Sequence, residues 1–219
     1  MKSEIIESWE KNAEEWVRVI EENQIQSRKF TNAAIVETVS KSNANKILDI
    51  GCGEGWLTRS ITEMGKTAVG IDAIAPLIES ARKKGQESFY QLTYEEIING
   101  QEIPEGPYDC AVFNFCLYLK DGLIDLLVQT KKTLNENGTI IIQTLHPFFL
   151  FHQGLAYGSQ WVTDSWKGLP GNFIEGHAWY ARTFADWVDA FEKCDVKIIA
   201  AREVINGQGK PISLIFTIA

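Results

Sequence analysis

The segment Ile47-Leu48-Asp49-Ile50-Gly51-Cys52-Gly53-Glu54-Gly55 decides the fold of this chain. An apolar run that contains an acid meets three glycines at alternate positions, and a helix-like sequence follows. This order predicts a buried parallel strand that turns sharply into a helix, with bare backbone at the turn that a ligand can approach. A second apolar run, Ala68-Val69-Gly70-Ile71, ends in Asp72, 21 residues after Gly51. Because an acid at that strand tip can accept hydrogen bonds from both hydroxyls of a ribose, we expect a ligand that contains a nucleoside.

The glycine spacing separates two kinds of nucleoside cofactor. A dinucleotide site requires Gly-x-Gly-x-x-Gly, in which the third glycine allows close helix packing and the helix N-terminus binds a pyrophosphate. Trp56 occupies that third position here, and Glu54 places a negative charge where a pyrophosphate needs donors. Both residues argue against NAD or FAD and favour a nucleoside ligand without a phosphate.

At these residues the chain resembles the class I S-adenosylmethionine-dependent methyltransferases, whose first motif is an acid followed by Gly-x-Gly-x-Gly. Further segments at family spacing extend the resemblance over most of the chain. They are Ser8 to Trp16 with Ser27, Arg28 and Thr31 (N-terminal cap), Asp72 (ribose acid), Thr93 to Glu96 (adenine side), Tyr108 to Asn114 (strand four), Leu134 to Thr139 (the turn before strand five) and 182–218 (last helix and closing strands). The resemblance implies S-adenosylmethionine as the cofactor.

Strands and helices alternate from residue 46 onward, which predicts right-handed crossovers and a parallel sheet covered on both faces. The turn residues Asn206-Gly207-Gln208-Gly209 join the last two strands, predicted at 196–201 and 212–218, and favour an antiparallel pair. Together with the resemblance, this predicts an α/β, doubly wound, seven-stranded, mostly parallel sheet with an antiparallel last strand. We expect one methyltransferase domain over 1–219, made of a helical cap (1–44), a cofactor-binding core (45–147), an aromatic lid insertion (148–181) and a C-terminal helix and strand pair (182–219).

The predicted lid is unusual in composition. Residues 148–180 hold nine of the chain's 24 aromatic residues, mixed with five glycines. Such a sequence forms a poor regular helix but can form an ordered lid, and it follows strand five, at the carboxyl edge where open α/β sheets bind ligands. The alternative is a surface insertion or dimer patch, because large exposed apolar patches commonly mark an interface.

Composition limits the classes of partner. With 21 basic and 29 acidic residues the net charge is −8, which weighs against DNA or RNA because nucleic-acid affinity rests largely on neutralised phosphates. Four cysteines without a Cys-x-x-Cys pair predict reduced thiols, and the sequence shows neither a signal-peptide core nor a membrane-length apolar run. We expect a cytoplasmic protein, monomeric or homodimeric, with a small-molecule substrate and no nucleic-acid or membrane partner.

The predicted cofactor residues follow from the motif and the resemblance. Asp72 is expected to bind the ribose hydroxyls, and the glycines to place bare backbone against the methionine portion. Asp49 is expected to orient the loop and meet the methionine ammonium, since a buried strand-end acid otherwise carries an uncompensated charge. The full predicted set is Arg28, Asp49, Gly51, Cys52, Gly53, Gly55, Asp72, Ala73, Thr93, Tyr94, Asn114 and Phe115.

For several of these residues two roles stay open. The resemblance implies that Arg28 meets the methionine carboxylate through its bidentate fork, and a surface ion pair is the alternative. Thr93 and Tyr94 would lie beside the adenine, or Tyr94 would pack under the sheet edge. Asn114 and Phe115 would lie near the methionine and the transferred methyl, or Asn114 would act as a cap.

Methyl transfer from a sulfonium needs a catalytic base only if the nucleophile is protonated and weakly acidic, because the donor is already activated. His146, at the tip of strand five, is the candidate general base, and a structural histidine before Pro147 is the alternative. His152 and His177 lie in the insertion and show no metal-ligand spacing, so no metal is predicted.

The favoured hypothesis is an S-adenosylmethionine-dependent methyltransferase that acts on a small, partly apolar or aromatic acceptor. Two other functions are compatible with parts of the pattern. A non-catalytic S-adenosylmethionine-binding partner protein would use the aromatic segment as a docking surface. A nicotinamide-dependent oxidoreductase shares the fold but conflicts with Trp56 and Glu54.

Overall fold

A computed structural model describes residues 2–219, with side chains from residue 4 onward. Helices and strands follow one another in this order: α1 (Lys2–Glu21), α2 (Arg28–Lys41), β1 (Lys46–Ile50), α3 (Trp56–Glu63), β2 (Thr67–Asp72), α4 (Ala75–Lys84), β3 (Ser88–Gln91), α5 (Tyr94–Ile98), β4 (Tyr108–Asn114), α6 (Leu123–Lys132), β5 (Leu134–Leu145), α7 (Phe148–His152), β6 (Gln160–Val162), β7 (Trp179–Ala181), α8 (Phe184–Lys193), β8 (Ile198–Ile205) and β9 (Pro211–Ile218).

Seven strands form one sheet in the order β3-β2-β1-β4-β5-β9-β8. The first five strands of the chain pair in parallel, whereas β9 is antiparallel to both β5 and β8. The predicted fold class is therefore confirmed. The strand order reverses between β1 and β4, and the carboxyl ends of these two strands open the crevice in which sheets of this type bind ligands.

Two strands extend beyond their predicted bounds. β5 begins at Leu134, not at residue 139, because Leu134 pairs with Tyr108 and the ladder then skips to Thr139 opposite Cys110. β8 lies at Ile198–Ile205, because its register with β9 continues as far as Pro211. Neighbouring strands supply these hydrogen bonds, so local sequence does not reveal them.

Apolar side chains cover both faces of the sheet. Leu48 and Ile50 of β1 point to the face that packs on α6 and α8, and Ile47 points to the face that packs on α2 and α3. Asp49 shares the face of Ile47, because successive strand residues alternate between faces. This alternation places the strand-end acid under α3.

The segment 148–181 is ordered and contains regular structure. It begins with α7 and closes with a two-stranded antiparallel sheet of β6 and β7. Between these strands, the backbone of Ile174 makes two hydrogen bonds with the side chain of Asn12 on α1. Among residues 2–219, no helix combines the length and the apolar composition needed to span a bilayer.

Candidate functional site

The glycine loop between β1 and α3 is a left-handed turn, in which all three glycines have φ between 57° and 82°. A Cβ on Gly51 would lie 2.6 Å from the Cβ of Cys116, and one on Gly55 would lie 2.7 Å from the ring of Phe89. Backbone conformation and internal packing therefore both require glycine at these two positions.

Gly53, between them, differs in its surroundings. Apart from its chain neighbours, the one described atom within 4 Å of a Cβ built there is Nε1 of Trp16, at 4.0 Å. The backbone N–H of Gly53 donates to Oδ2 of Asp72 at 2.9 Å, and Oδ1 accepts the N–H of Ile74, also at 2.9 Å. Burial raises the pKa of Asp72, although these hydrogen bonds oppose the shift. Each carboxylate oxygen keeps acceptor capacity for a further donor.

Asp49 is buried beneath the loop, with 1% of its surface exposed. Its Oδ2 accepts a hydrogen bond from the hydroxyl of Thr58 on α3 at 2.7 Å. Burial raises the pKa of Asp49 to about 7, and the negative charge of Asp72 adds to this shift. The hydrogen bond connects the end of β1 to α3, while contact with a methionine ammonium stays a prediction.

The guanidinium of Arg28 lies 4.8 Å above the ring centroid of Trp56, at the start of α3. Burial lowers the pKa of Arg28 to about 10. Glu54, whose charge opposes that shift, forms its ion pairs with Arg59 at 2.7 Å and Lys84 at 3.3 Å. Among the described side chains, no carboxylate pairs with Arg28, so the predicted alternative of a surface ion pair is not observed in this part of the chain.

Thr93 and Tyr94 begin α5. Thr93 forms a capping box with Glu96, in which its Oγ1 accepts the Glu96 N–H at 3.2 Å and its own N–H donates to the Glu96 carboxylate at 2.8 Å. The hydroxyl of Tyr94 donates to the carbonyl of Cys116 at 3.2 Å and lies 3.1 Å from a Cβ built on Gly51. Tyr94 thus borders the glycine loop, and its predicted adenine contact stays a prediction.

Asn114 ends β4, and its buried Oδ1 has no hydrogen-bond partner among the described residues. Phe115 follows with a left-handed φ of 53°, its N–H donates to the carbonyl of Gln143 at 2.8 Å, and its carbonyl accepts the hydroxyl of Tyr118. An orphaned buried acceptor usually marks the place of a water or ligand. The next helix is capped by Gly122 and not by Asn114, so the capping alternative is not observed.

Cys52 and Ala73 complete the predicted set. Cys52 is buried, and its Sγ lies 2.9 Å from a Cβ built on Gly70. Burial raises the pKa of this thiol well above its usual range. The carbonyl of Ala73 accepts a hydrogen bond from Nε2 of Gln91 at 3.1 Å. Both residues lie in the loops that border the crevice.

His146 lies outside this group. Its Nδ1 accepts the N–H of Phe148 at 3.1 Å, and its Nε2 lies 2.8 Å from the carboxylate of Glu203 on β8. It lines a separate cavity of about 260 Å³ with Tyr157 and Phe184. These contacts match the alternative role of fixing the turn before α7, and a role as general base stays a prediction.

Six rings in contact with one another form a cluster beside the crevice that we call the aromatic roof: Trp9, Trp16, Tyr118, Trp166, Phe173 and His177. It extends from Trp16, above Gly53, to Tyr118, whose hydroxyl bonds Phe115. Trp9 and Trp16 both lie on α1, and their rings meet edge to face. No local sequence pattern predicts that Cys116, Tyr118 and His177 lie at the site, because these residues come together only in the folded chain.

The polar groups around the crevice limit which ligand the site can hold. In the described part of the chain, no group of three or more His, Cys, Asp or Glu side chains is placed to hold a metal ion. The residues around the crevice offer a carboxylate (Asp72), a partly buried cation (Arg28) and an orphaned amide oxygen (Asn114). This donor and acceptor set fits a ligand that carries hydroxyls and a carboxylate.

The chain has relatives among known proteins. It is 33% identical over 84 residues to a methyltransferase of Schizosaccharomyces pombe described as uncharacterized, a match that covers 38% of this chain and 32% of that protein. It is 26% identical over 193 residues to the ubiquinone biosynthesis O-methyltransferase of Pelagibacter ubique, a match that covers 80% of this chain and 75% of that protein. The chain spans about a third of the length of the first curated relative it matches and about half the length of the second.

Its fold is shared by solved structures. The Burkholderia thailandensis 1,6-didemethyltoxoflavin-N1-methyltransferase, solved with its acceptor and S-adenosylhomocysteine, superposes with a TM-score of 0.65 at 16% identity, over 99% of this chain and 85% of that one. The family model described as a methyltransferase domain matches residues 12–196. Because this match covers well over half of the chain, the protein belongs to the methyltransferase domain family, and the resemblance to class I S-adenosylmethionine-dependent methyltransferases is confirmed.

Proposed function

We propose that this protein transfers the methyl group of S-adenosylmethionine to a small, partly apolar or aromatic acceptor. The observation that carries the proposal is the partly buried guanidinium of Arg28, which stacks on Trp56 at the start of α3 and has no carboxylate partner among the described side chains. Burying an unpaired cation is unfavourable, so a ligand carboxylate is the expected partner. Family membership supports the methionine carboxylate as that group.

The other predicted residues have compatible positions. Asp72 would accept hydrogen bonds from the ribose hydroxyls while it also accepts the one from the N–H of Gly53. The orphaned Oδ1 of Asn114 would accept a donor from the methionine end, and Tyr94 would border the adenine. The bound sulfonium supplies an activated methyl group, so these residues need only hold donor and acceptor in line.

The aromatic roof supports a flat or apolar acceptor. Its rings pack at centroid distances of 4.7 Å for the pair of Trp9 and Trp166 and 5.1 Å for the pair of Trp9 and Trp16. The relatives and structural neighbours include enzymes named for ubiquinone biosynthesis and for a toxoflavin precursor. A cytoplasmic location, a monomeric or homodimeric state and the lack of a nucleic-acid partner stay predictions from the sequence.

Isothermal titration calorimetry with analogues that differ by one group tests the cofactor assignment. The wild-type protein should bind S-adenosylmethionine and S-adenosylhomocysteine, and should bind decarboxylated S-adenosylmethionine at least about 10-fold more weakly, as expected for one charged hydrogen-bond pair. Arg28→Met should bind the carboxylated and decarboxylated forms alike. Lys29→Met, a change at the exposed neighbouring residue, should keep the preference.

Two results would contradict the proposal. If the folded wild-type protein binds neither S-adenosylmethionine nor S-adenosylhomocysteine, the cofactor is wrong. If it binds both but transfers no radiolabelled methyl to any member of a library of phenols, aromatic amines and carboxylic acids, the non-catalytic binding function is favoured instead. Preferential binding of NADH would favour the oxidoreductase.

A further inference from the structure

His177 is a buried histidine with one ring nitrogen unused. The residue is 4% exposed and precedes β7 in the lid segment. Its Nδ1 lies 3.0 Å from the hydroxyl of Ser165, whereas its buried Nε2 has no hydrogen-bond partner among the described residues. Folded proteins pair nearly all buried polar side-chain atoms, so an orphaned ring nitrogen calls for a partner from outside the chain.

The hydrogen-bond pattern favours one tautomer. A buried N–H without an acceptor is rarer in folded proteins than a buried acceptor without a donor. We therefore assign the proton to Nδ1, which donates it to the Ser165 hydroxyl, and Nε2 keeps a free lone pair. Burial lowers the pKa of His177 to about 4, so the ring is neutral at physiological pH.

Tyr118 connects the His177 ring to the crevice. The imidazole meets Tyr118 edge to face, with centroids 5.5 Å apart, and Tyr118 in turn bonds the carbonyl of Phe115, directly after β4. Burial raises the pKa of the Tyr118 hydroxyl, and the negative charge of Asp72 adds to this shift. Trp166 also meets the His177 ring edge to face, with centroids 5.7 Å apart, so aromatic rings border the imidazole.

We propose that Nε2 of His177 binds the O–H or N–H group of a flat aromatic methyl acceptor and takes its proton during transfer. This inference rests on the proposed function and names the acceptor class and the proton acceptor for it. As the acceptor's oxygen or nitrogen bonds the methyl carbon, the carbon–sulfur bond breaks and its electron pair stays on sulfur. The acceptor's proton passes to Nε2, which gives a transient imidazolium that later loses the proton to solvent.

A polar cavity offers that proton a way out. His177 lines a cavity of about 250 Å³ between α1 and the lid segment. The titratable groups on this cavity are Glu4, Glu7 and Lys11 of α1 and Glu175 of the lid segment, and Lys11 pairs with Glu175. On the other side of the ring, Tyr118 is the titratable neighbour, and burial raises its pKa far above neutrality. The imidazole differs from Tyr118 in that its free lone pair belongs to a nitrogen that can take up a proton.

The experiment measures methyl transfer from radiolabelled S-adenosylmethionine to defined probes by the full-length protein. Catechol, 8-hydroxyquinoline and 2-aminophenol are the flat protic probes, and cyclohexanol and butylamine are the non-aromatic ones. The variants are His177→Ala, His177→Gln, which keeps an acceptor atom but cannot take up a proton, and His152→Ala as a control at an exposed histidine of the same segment. The dissociation constant of S-adenosylhomocysteine is measured for each variant.

We expect at least one flat protic probe to be methylated. Both His177 variants should lose about 100-fold in kcat, the low end of the effect of a general base, with an unchanged dissociation constant for S-adenosylhomocysteine. Imidazole in the buffer should restore part of the activity of His177→Ala. The kcat of the wild-type protein should stay level from pH 6 to 8 and fall below about pH 5, as a base with a pKa near 4 requires. The His152→Ala variant should match the wild type.

Several results would overturn the inference. The first is a wild-type protein that binds S-adenosylhomocysteine yet methylates none of the flat probes. The second is full kcat in a folded His177 variant. The third is a loss of activity in His146→Ala together with unchanged activity in His177→Gln. A His177→Ala variant that fails to bind S-adenosylhomocysteine leaves the decision to His177→Gln and to the wild-type pH profile. Failure of the wild type to bind S-adenosylhomocysteine would instead contradict the proposed function.

Discussion

The carboxylate of Asp72 and the backbone N–H of Gly53 are joined by a hydrogen bond of 2.9 Å. This bond connects the tip of β2 to the turn after β1, so the predicted ribose acid and the glycine loop form one unit. A ligand that bonds the carboxylate therefore also meets the loop, and a change in either residue is transmitted to the other.

Replacement of Asp72 by Asn should weaken S-adenosylhomocysteine binding by about 10- to 100-fold, because hydrogen bonds to a charged group contribute roughly 1.5–3 kcal/mol. Asp109→Asn is a matched control. Asp109 also accepts two backbone N–H groups, from Asn45 and Lys46, each at 2.9 Å, but it lies at the opposite end of the sheet. Calorimetry should show near wild-type affinity for this control. Equal losses in both variants would mean that Asp72 acts only through stability.

Arg28→Met should leave the protein without cofactor as stable as the wild type or raise its free energy of unfolding by about 1 kcal/mol. The reason is that an apolar side chain replaces a partly buried cation without a carboxylate partner. Thermal melts with saturating S-adenosylhomocysteine should reverse the order, since the wild type gains more from a ligand it binds more tightly. A clear loss of stability in the ligand-free variant would indicate a structural partner for Arg28.

Asp49→Asn should change how stability depends on pH. The pKa of Asp49 is raised to about 7, so the folded protein holds a proton that the unfolded chain has lost between about pH 4 and pH 7. The contribution of Asp49 to the free energy of unfolding therefore falls as the pH rises through this window, by up to about 4 kcal/mol at 1.36 kcal/mol per pKa unit. Urea unfolding at pH 5 and pH 8 should show that the variant gains more stability relative to the wild type at pH 8 than at pH 5. A constant difference between the two proteins would contradict the raised pKa.

Asn12→Ala should release the lid segment from α1. The side chain of Asn12 is 1% exposed and makes hydrogen bonds of 2.7 and 2.8 Å with the carbonyl and N–H of Ile174. Leaving these backbone groups without partners costs about 1–3 kcal/mol. Hydrogen exchange in residues 171–176 should quicken by about 10-fold or more, while exchange in β1 should not change. The exposed Asn43 offers the control substitution. Equal exchange in both variants would show that the other contacts of the segment, such as those of Ser8 with Glu175 and of Glu15 with Asn172, hold it without Asn12.

The sheet and the ribose acid could be predicted from sequence because their signals are local. The apolar run through Ile50, the alternate glycines and Asp72 at the next strand tip each depend on neighbours within a few residues. The strand extensions at Leu134 and Ile205 could not, because hydrogen bonds to a partner strand decide them. His146 shows the same limit, since its contact with Glu203 joins residues 57 positions apart.

By itself, the sequence determined the strand-turn-helix at residues 46–63, the parallel core and the antiparallel closing pair, because periodicity and backbone geometry act over short range. Only the tertiary structure decided that no carboxylate among the described residues pairs with Arg28 and that Asn12 bonds the backbone of Ile174. It also decided that the rings of His177 and Tyr118 meet beside the crevice. Such contacts join residues far apart in the chain, and burial, which sets their charge and hydrogen-bonding state, exists only after the whole sheet has formed.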